Sequence, residues 1–425
     1  MKSLMFHCLA LVLVLSSTAF GQVALESFPQ LNAQRDWPWW RGASRDGQAV
    51  SQQTPTEFSE QKNLDWSQPI PGRGHGSPVV VGDRVFLLTA DEENQIHYAL
   101  ACDRNTGKLL WQVEVNRSGF PAKNHVKNTE ASPTIACDGE RVFMALYHHD
   151  AIWVTALSLD GQEIWKKELG RYSPRLYQYG YAASPVLYGD TVIMAYEYDG
   201  PSAMVALRRD TGQEVWRLPR TNTITFSSPG LSSHQGKDYL TISGANKVIA
   251  YDPVNGQQLW QTTATTLATC GTTIQHQGLV FASGGFPGSE TVAMDVATGE
   301  VAWRNRVKAY EQSLLAVDGY LYSYADGGVL YCWEAKTGKE IWKKRLIDRI
   351  SASGVRVDDK IYWACEDGTM FVFRARPDQY EELGRNKIGD EAFASPAICG
   401  GQIFLRVAKH EAERRQEYLL RFSQH

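Results

Sequence analysis

Three stretches of the chain gather side chains that could do chemistry. NRSGFPAKNHVKNTE (Asn116 to Glu130) carries Arg117, Lys123, His125 and Lys127 with Phe120. RYSPRLYQYGY (Arg171 to Tyr181) carries Arg171 and Arg175 with Tyr172, Tyr177, Tyr179 and Tyr181. Cations beside aromatic faces suit a planar anionic ligand, an anionic glycan or an acidic partner. The same composition also makes an ordinary solvated loop with its tyrosines packed on their neighbours. In the third stretch, GRGHGSP, His75 lies between glycines that allow another backbone to come close. Its imidazole could act as a base or a ligand, or could hydrogen-bond within a wall. The nucleophile-elbow, zinc-protease and kinase signatures are all absent from the sequence.

These stretches are held by a repeat. NTGKLLW (Asn105 to Trp111) returns as LDGQEIW, DTGQEVW, VNGQQLW, ATGEVAW and KTGKEIW. With Trp66 included, the tryptophan recurs at Trp111, Trp165, Trp216, Trp260, Trp303 and Trp342, and a degenerate copy ends near Leu383. Periods of this size belong to propellers and solenoids. Each unit opens with a short apolar run led by Ser-Pro or a relative, as at Ser77, Ser132, Ser184, Ser228, Thr272, Ser313, Ser353 and Ser395. A tight turn, two further strands, the glycine turn and the tryptophan strand follow. Four short strands per unit make one propeller blade. The turn Asp (Asp103, Asp252, Asp295) can hydrogen-bond into the turn backbone, the glycine can take positive φ, and the tryptophan ring can wedge between blades. The expectation is an all-β, eight-bladed propeller over residues 63–425. The last unit has only three strands of its own, and NLDWSQPI (Asn63 to Ile70) supplies the fourth and closes the ring.

In a propeller the residues just before each inner strand line the central funnel. Here that ring reads His75, Glu130, Tyr181, Phe226, Cys270, Gln312, Ser351 and Phe393. The longest connections between blades, with Lys127, Arg171, Arg175 and Tyr179, fall on the same face, where binding residues concentrate. Glu130 is the one evident carboxylate of this ring, which argues against a Ca²⁺ centre needing six to eight oxygens. The expected assignment is therefore no catalytic residue, no metal ligand, and a ligand or partner site at the funnel mouth. HHD (His148 to Asp150) reads as a hairpin tip facing water. GGFPGSE (Gly284 to Glu290) lacks the following helix of a phosphate loop. EAERRQE (Glu411 to Glu417) reads as a charged, solvated, helix-compatible insertion.

Composition bounds the rest. The 425 residues are 43% hydrophobic with a net charge of −4, lacking the basic excess of a general nucleic-acid binder. Lys2 and the apolar run Leu9 to Ser17 read as a signal peptide over residues 1–21, cut near Gly21. That run is too short to span a membrane. Cys8 precedes it, so no lipid-attachment cysteine is expected, and the protein is placed in the periplasm or outside the cell. Six cysteines remain, scattered, and suit either disulfides or small buried thiols. Residues 22–62, with Trp37, Trp39 and Trp40, are expected to pack on the propeller side or over one end, Arg41 pairing with a carboxylate.

The repeats ALACDRNTGKLLW (Ala99 to Trp111), VALRRDTGQEVW (Val205 to Trp216), IAYDPVNGQQLW (Ile249 to Trp260) and VAMDVATGEVAW (Val292 to Trp303) resemble the PQQ-like β-propeller repeat family. DWPWWRGASRDG (Asp36 to Gly47) is similar to the opening of many exported members. The resemblance implies one of two functions. One is that of the non-catalytic, outer-membrane-assembly branch, binding a protein partner or an extended ligand on the long-loop face. The alternative is that of a quinoprotein dehydrogenase acting on an alcohol or sugar with pyrroloquinoline quinone and Ca²⁺. The chain lacks the adjacent cysteines of many such dehydrogenases, and no inner strand contains their funnel tryptophan. The expected function is therefore binding or scaffolding, without a cofactor.

Overall fold

A computed structural model describes residues 25–347, 349–411 and 414–425. The signal-peptide assignment and Cys8 lie outside the described residues. Eight four-stranded antiparallel sheets follow one another along the chain, covering residues 79–117, 136–171, 186–220, 230–263, 274–305, 315–345, 355–387 and 397–423. They are blades one to eight. The first strand of each forms the inner edge. Blade eight takes its outer strand, Leu64–Ile70, from the start of the propeller, paired antiparallel to Arg414–Ser423. The ring is thus closed by hydrogen bonds between the two ends of the propeller.

The repeated turn and tryptophan have a shared cause. Asp103, Asp252 and Asp295 accept backbone N–H groups two or three residues ahead, which fixes the turn. Gly107 and Gly338 sit at φ +75° and +71°. A Cβ there would also lie 2.6 Å from the Trp66 ring and 2.5 Å from the Trp303 ring of the preceding blade. Each ring lies under the next blade's turn, and, except at Trp216, its indole N–H donates to a carbonyl there, as Trp66 does to Arg104 and Trp303 to Ala335. One device therefore shapes the hairpin and seals the seam between blades. Opposite the tryptophan stands a small residue, Ala101, Ala156, Ala206, Ala250, Ala293 or Cys332. A bulge beside it pushes Leu110, Ile164, Val215 and Ile341 outward, which explains their exposure.

Blade seven lacks the tryptophan. Gly384 pairs where it would stand, and the backbone of Thr56 occupies the space, its carbonyl accepting from Asn386 Nδ2 at 3.0 Å. Phe58 then packs on Phe422 at the seam with blade eight. The N-terminal segment thus supplies the missing wedge.

The same segment crosses one end of the central channel. Trp37 forms a bridge with Val80 in blade one, Cys137 of blade two donates its backbone N–H to Pro38, and Gly400 of blade eight donates to Gln34. Arg41 is inserted among inner-strand ends, donating to Gly354 and Leu314 carbonyls at 2.8 and 3.0 Å and to Asp46 O at 2.7 Å. Its partners are carbonyls, not the carboxylate expected, because the inner strand ends leave backbone acceptors facing the channel. Arg45 donates to Leu187 O and stacks 4.0 Å over Trp39. EAERRQE also departs from its reading. Gln402–Glu411 and Arg414–Ser423 run as a long hairpin, and Glu417 is buried against Arg406 and Arg415. Arg406 also donates to Leu88 O of blade one, so this charged stretch bolts the closing seam. Among the described residues the six cysteines are free thiols, five of them buried.

Candidate functional site

The inner-strand openings form a belt around the channel, in which blade two contributes Thr134 and not the expected Ser132. The backbone N–H of Ser77 donates to Thr134 Oγ1, Thr134 to Ser184, Ser184 to Ser228, Thr272 to Ser313, Ser313 to Ser353, and Ser353 to Ser395, at 2.8–3.0 Å. In six of the eight blades the hydroxyl therefore caps an otherwise unpaired donor of the preceding inner strand. Where blades four and five meet, Thr272 Oγ1 instead accepts the Trp40 indole N–H at 2.9 Å. Trp40 is thereby the floor of a cavity of about 200 Å³ that opens at the other end of the channel.

Rings make much of the cavity wall. His75 stacks on Phe393, with centroids 4.2 Å apart and planes 8° apart. Tyr179 lies 6.0 Å from Phe226 and 4.8 Å from His125, and Tyr310 completes the lining. His75 Nδ1 is 3.1 Å from the Lys127 carbonyl, which can only accept, so Nδ1 carries the proton and Nε2 is a bare acceptor. Burial, with the charges of Arg73, Arg406 and Arg415, holds His75 well below its ordinary value and keeps it neutral.

The charged part of the site is a lysine between two carboxylates. Lys127 Nζ is 2.8 Å from Glu366 Oε1 and 3.6 Å from Glu311 Oε2. Ser351 Oγ is 2.7 Å from Glu366 and also touches Glu311. One hydroxyl has one proton, so Ser351 donates to one of the two carboxylates at a time. Burial raises the Glu311 carboxyl above its ordinary value, against the Ser351 hydrogen bond and the Lys127 charge. Burial also pulls Lys127 down, but the two carboxylates outweigh it and leave the ammonium above its ordinary value. Among the described residues no group of three or more His, Cys, Asp or Glu side chains is placed to hold a metal ion. The cation beside the funnel carboxylates is the protein's own ammonium, so the donor set present does not fit a Ca²⁺-quinone centre.

The structure brings His75, Lys127, Tyr179, Phe226 and Phe393 together around the cavity, with Cys270 and Ser351. It places Glu130 behind the wall, accepting from Asn124 Nδ2 at 2.8 Å. Tyr181 is buried in blade three with its hydroxyl on Ala195 O. Gln312 is turned into blade six, donating to Tyr324 O and Asp326. Arg171 ends an outer strand and is exposed. Arg175, its side chain 86% exposed, pairs loosely with Asp199. Trp40, Glu311, Glu366 and Tyr310 were not anticipated. One rule would have found Glu311: the lining residue stands two positions before the inner-strand Ser or Thr, as His75, Phe226, Cys270, Ser351 and Phe393 do.

Around the mouth three loops meet. Tyr177 lies 5.8 Å from Tyr179 and 5.7 Å from Phe286, joining residues 171–181 to 284–290, while His125 joins 116–130 through Tyr179. Val126, Leu176 and Phe286 are exposed there by 83, 60 and 45%.

The sequence matches the family described as outer membrane protein assembly factor BamB over residues 34–178, 97–344 and 288–376. It is 24% identical over 218 residues to outer membrane protein assembly factor BamB of Bordetella pertussis, 47% of this chain and 54% of that one. The chain thus spans about half the length of that relative. It is 26% identical to the protein of the same name from Burkholderia pseudomallei, over 75% of this chain and 69% of that one. Among solved structures, BamB from Moraxella catarrhalis superposes with a TM-score of 0.60 at 14% identity, over 85% of this chain and 98% of that one. A europium-containing methanol dehydrogenase superposes with a TM-score of 0.66 at 12% identity, over 90 and 92%. Both therefore share the fold, which does not choose between their functions. With eight blades, the recurrent turn and tryptophan, and a family match over most of its length, the chain belongs to the PQQ-like β-propeller repeat family described as outer membrane protein assembly factor BamB.

Proposed function

We propose that the protein is an exported, non-catalytic binding propeller of the periplasm that takes a protein partner or an extended ligand across its funnel mouth, as part of outer-membrane protein assembly. The observation that carries this reading is the exposed rim of Val126, Leu176, Tyr179 and Phe286, drawn from three loops. Apolar and aromatic side chains left in water over a concave centre favour association with another chain. The relatives named assembly factors support it. The funnel chemistry supports it too, since Glu311 and Glu366 are already engaged by Lys127 and Ser351.

Two measurements test it. A photo-crosslinking side chain at Val126 or Leu176 should give discrete protein adducts in the source cell. The same group at Val254, exposed in the Asp252–Gly256 turn, should not. Equal labelling at all three positions would sink the binding face. Calorimetric titration with pyrroloquinoline quinone, with and without Ca²⁺, should give no saturable heat. Micromolar binding that requires Ca²⁺ would replace this reading with the dehydrogenase.

A further inference from the structure

The funnel is a poor fit to an anion and a good fit to a cation. Trp40, Tyr179, Phe226, Tyr310 and Phe393 line it, and the π-face of an aromatic ring carries negative electrostatic potential. Glu311 lines it and Glu366 stands 2.8 Å from the Lys127 ammonium. His75 is neutral and adds no positive charge to the wall. A carboxylate guest would have to sit beside two carboxylates, and a neutral guest would leave the pairing as it is.

Lys127 has an unusual origin for a wall residue. It comes from the long connection between blades one and two, not from a position just before an inner strand. Its carbonyl is held by His75 and the neighbouring Asn128 by Tyr179 O, so the backbone is anchored while the ammonium reaches across the mouth to blade seven. The side chain is 38% exposed, unlike the fully buried Arg406–Glu417 pair at the closing seam. The lysine end of the pair is open to water while Glu366 is only 9% exposed, so a second cation arriving at the mouth can compete for its carboxylates.

We infer that the funnel is a receptor for an alkylammonium group, and that Lys127 is a tethered stand-in for that group, released when a guest cation enters between the rings and the Glu311–Glu366 pair. The inference rests on reading the funnel mouth as a binding face. It specifies what the centre of that face recognises. The group is the side chain of a partner's lysine or the head of a free amine, which have this chemistry in common.

The test uses the mature, full-length protein and titrates n-butylammonium, n-butanol and butyrate into the wild type and Lys127→Met. Removing the competitor should tighten n-butylammonium binding roughly fivefold or more, the size of a partly exposed ion pair. Butanol and butyrate should not saturate. Adding Glu366→Gln to Lys127→Met should abolish the gain, with Glu311→Gln as the second choice should that variant not fold by near-ultraviolet circular dichroism. A folded Lys127→Met protein that ignores the amine, binds butanol equally well, or keeps its affinity with Glu366→Gln would overturn the inference. A capped Gly-Lys-Gly peptide binding more tightly than n-butylammonium assigns the guest to a partner chain, and the reverse order to a free amine; both orders support the site. The quinone titration fails or succeeds independently of these arms, so the two readings can fall separately.

Discussion

The two ends of the channel solve the same problem in opposite ways. Both are ringed by the same eight inner strands, whose ends present unpaired backbone groups. At the closed end the N-terminal segment inserts arginines. Arg41 is 2% exposed and directs its donors to three carbonyls, while burial lowers its pKa to about 10 and Arg45 to about 9, leaving both charged at neutral pH. At the open end a half-exposed lysine faces two carboxylates and a serine hydroxyl. Backbone acceptors are fixed by the strands that carry them, whereas a side-chain pair reached by water at its lysine end is open to competition. Charge placed on the main chain serves closure, and charge placed on side chains leaves room for binding.

The sharpest way to break this comparison is to remove one cation from each end. Arg41→Met should destabilise the protein by about 3–5 kcal/mol, because buried carbonyls of Gly354 and Leu314 lose their donor. Lys127→Met should cost less, about 1–2 kcal/mol, because the lysine is partly exposed although Glu366 is buried. Urea unfolding of both variants reads the difference directly. Equal losses would mean that the mouth is as much a structural seal as the plug.

A second prediction concerns a carboxyl behind the open end. Burial, with the Glu92 carboxylate, raises Glu130 from 4.5 to about 7, against the opposing hydrogen bond from Asn124. The folded protein therefore holds this proton to higher pH than the unfolded chain does. The sign follows: stability is undiminished below about pH 4.5, falls as pH rises towards 7, and is level above it. The loss is about 3 kcal/mol at most. Glu130→Gln keeps an acceptor for Asn124 and removes the ionisation. Its thermal midpoint should match the wild type near pH 4.5 and exceed it at pH 8. A gain that does not depend on pH would show that Glu130 titrates as an ordinary exposed carboxylate.

The fold was legible in the sequence because repetition reports packing. Six turn-tryptophan copies announce six seams, and the Ser-Pro openings mark the inner strands. What escaped was offset by one residue or came from far along the chain. Tyr181 and Gln312 each stand one position from the true lining residues, Ala182 and Glu311. In extended backbone one step reverses the direction of a side chain, so both were assigned to the cavity and lie in the wall. Glu366 follows the second strand of blade seven and approaches Lys127 only through the ring's closure, so no local pattern could pair them. The N-terminal tryptophans carried no period at all. Their packing is legible from size and hydrophobicity, their address is not, and Trp40 as the funnel floor is a tertiary fact.

The smallest expected effect lies in the hydroxyl belt that divides the two ends. Ser353 Oγ accepts the backbone N–H of Ser313 at 2.8 Å, in a buried position. Ser353→Ala removes that acceptor and strands a buried donor, which should cost about 1–2 kcal/mol. Ser77 is equally buried, but its Oγ has no hydrogen-bond partner, because the belt is interrupted where blade eight meets blade one. Ser77→Ala should therefore change unfolding free energy by less than about 0.5 kcal/mol, the range of substitutions that break no such feature. The pair of variants isolates hydrogen bonding from burial, since both remove the same hydroxyl from the same position of equivalent strands. A substantial loss at Ser77 would show that its hydroxyl is satisfied from within the cavity in solution, and that the funnel contributes to ring closure as well as to binding.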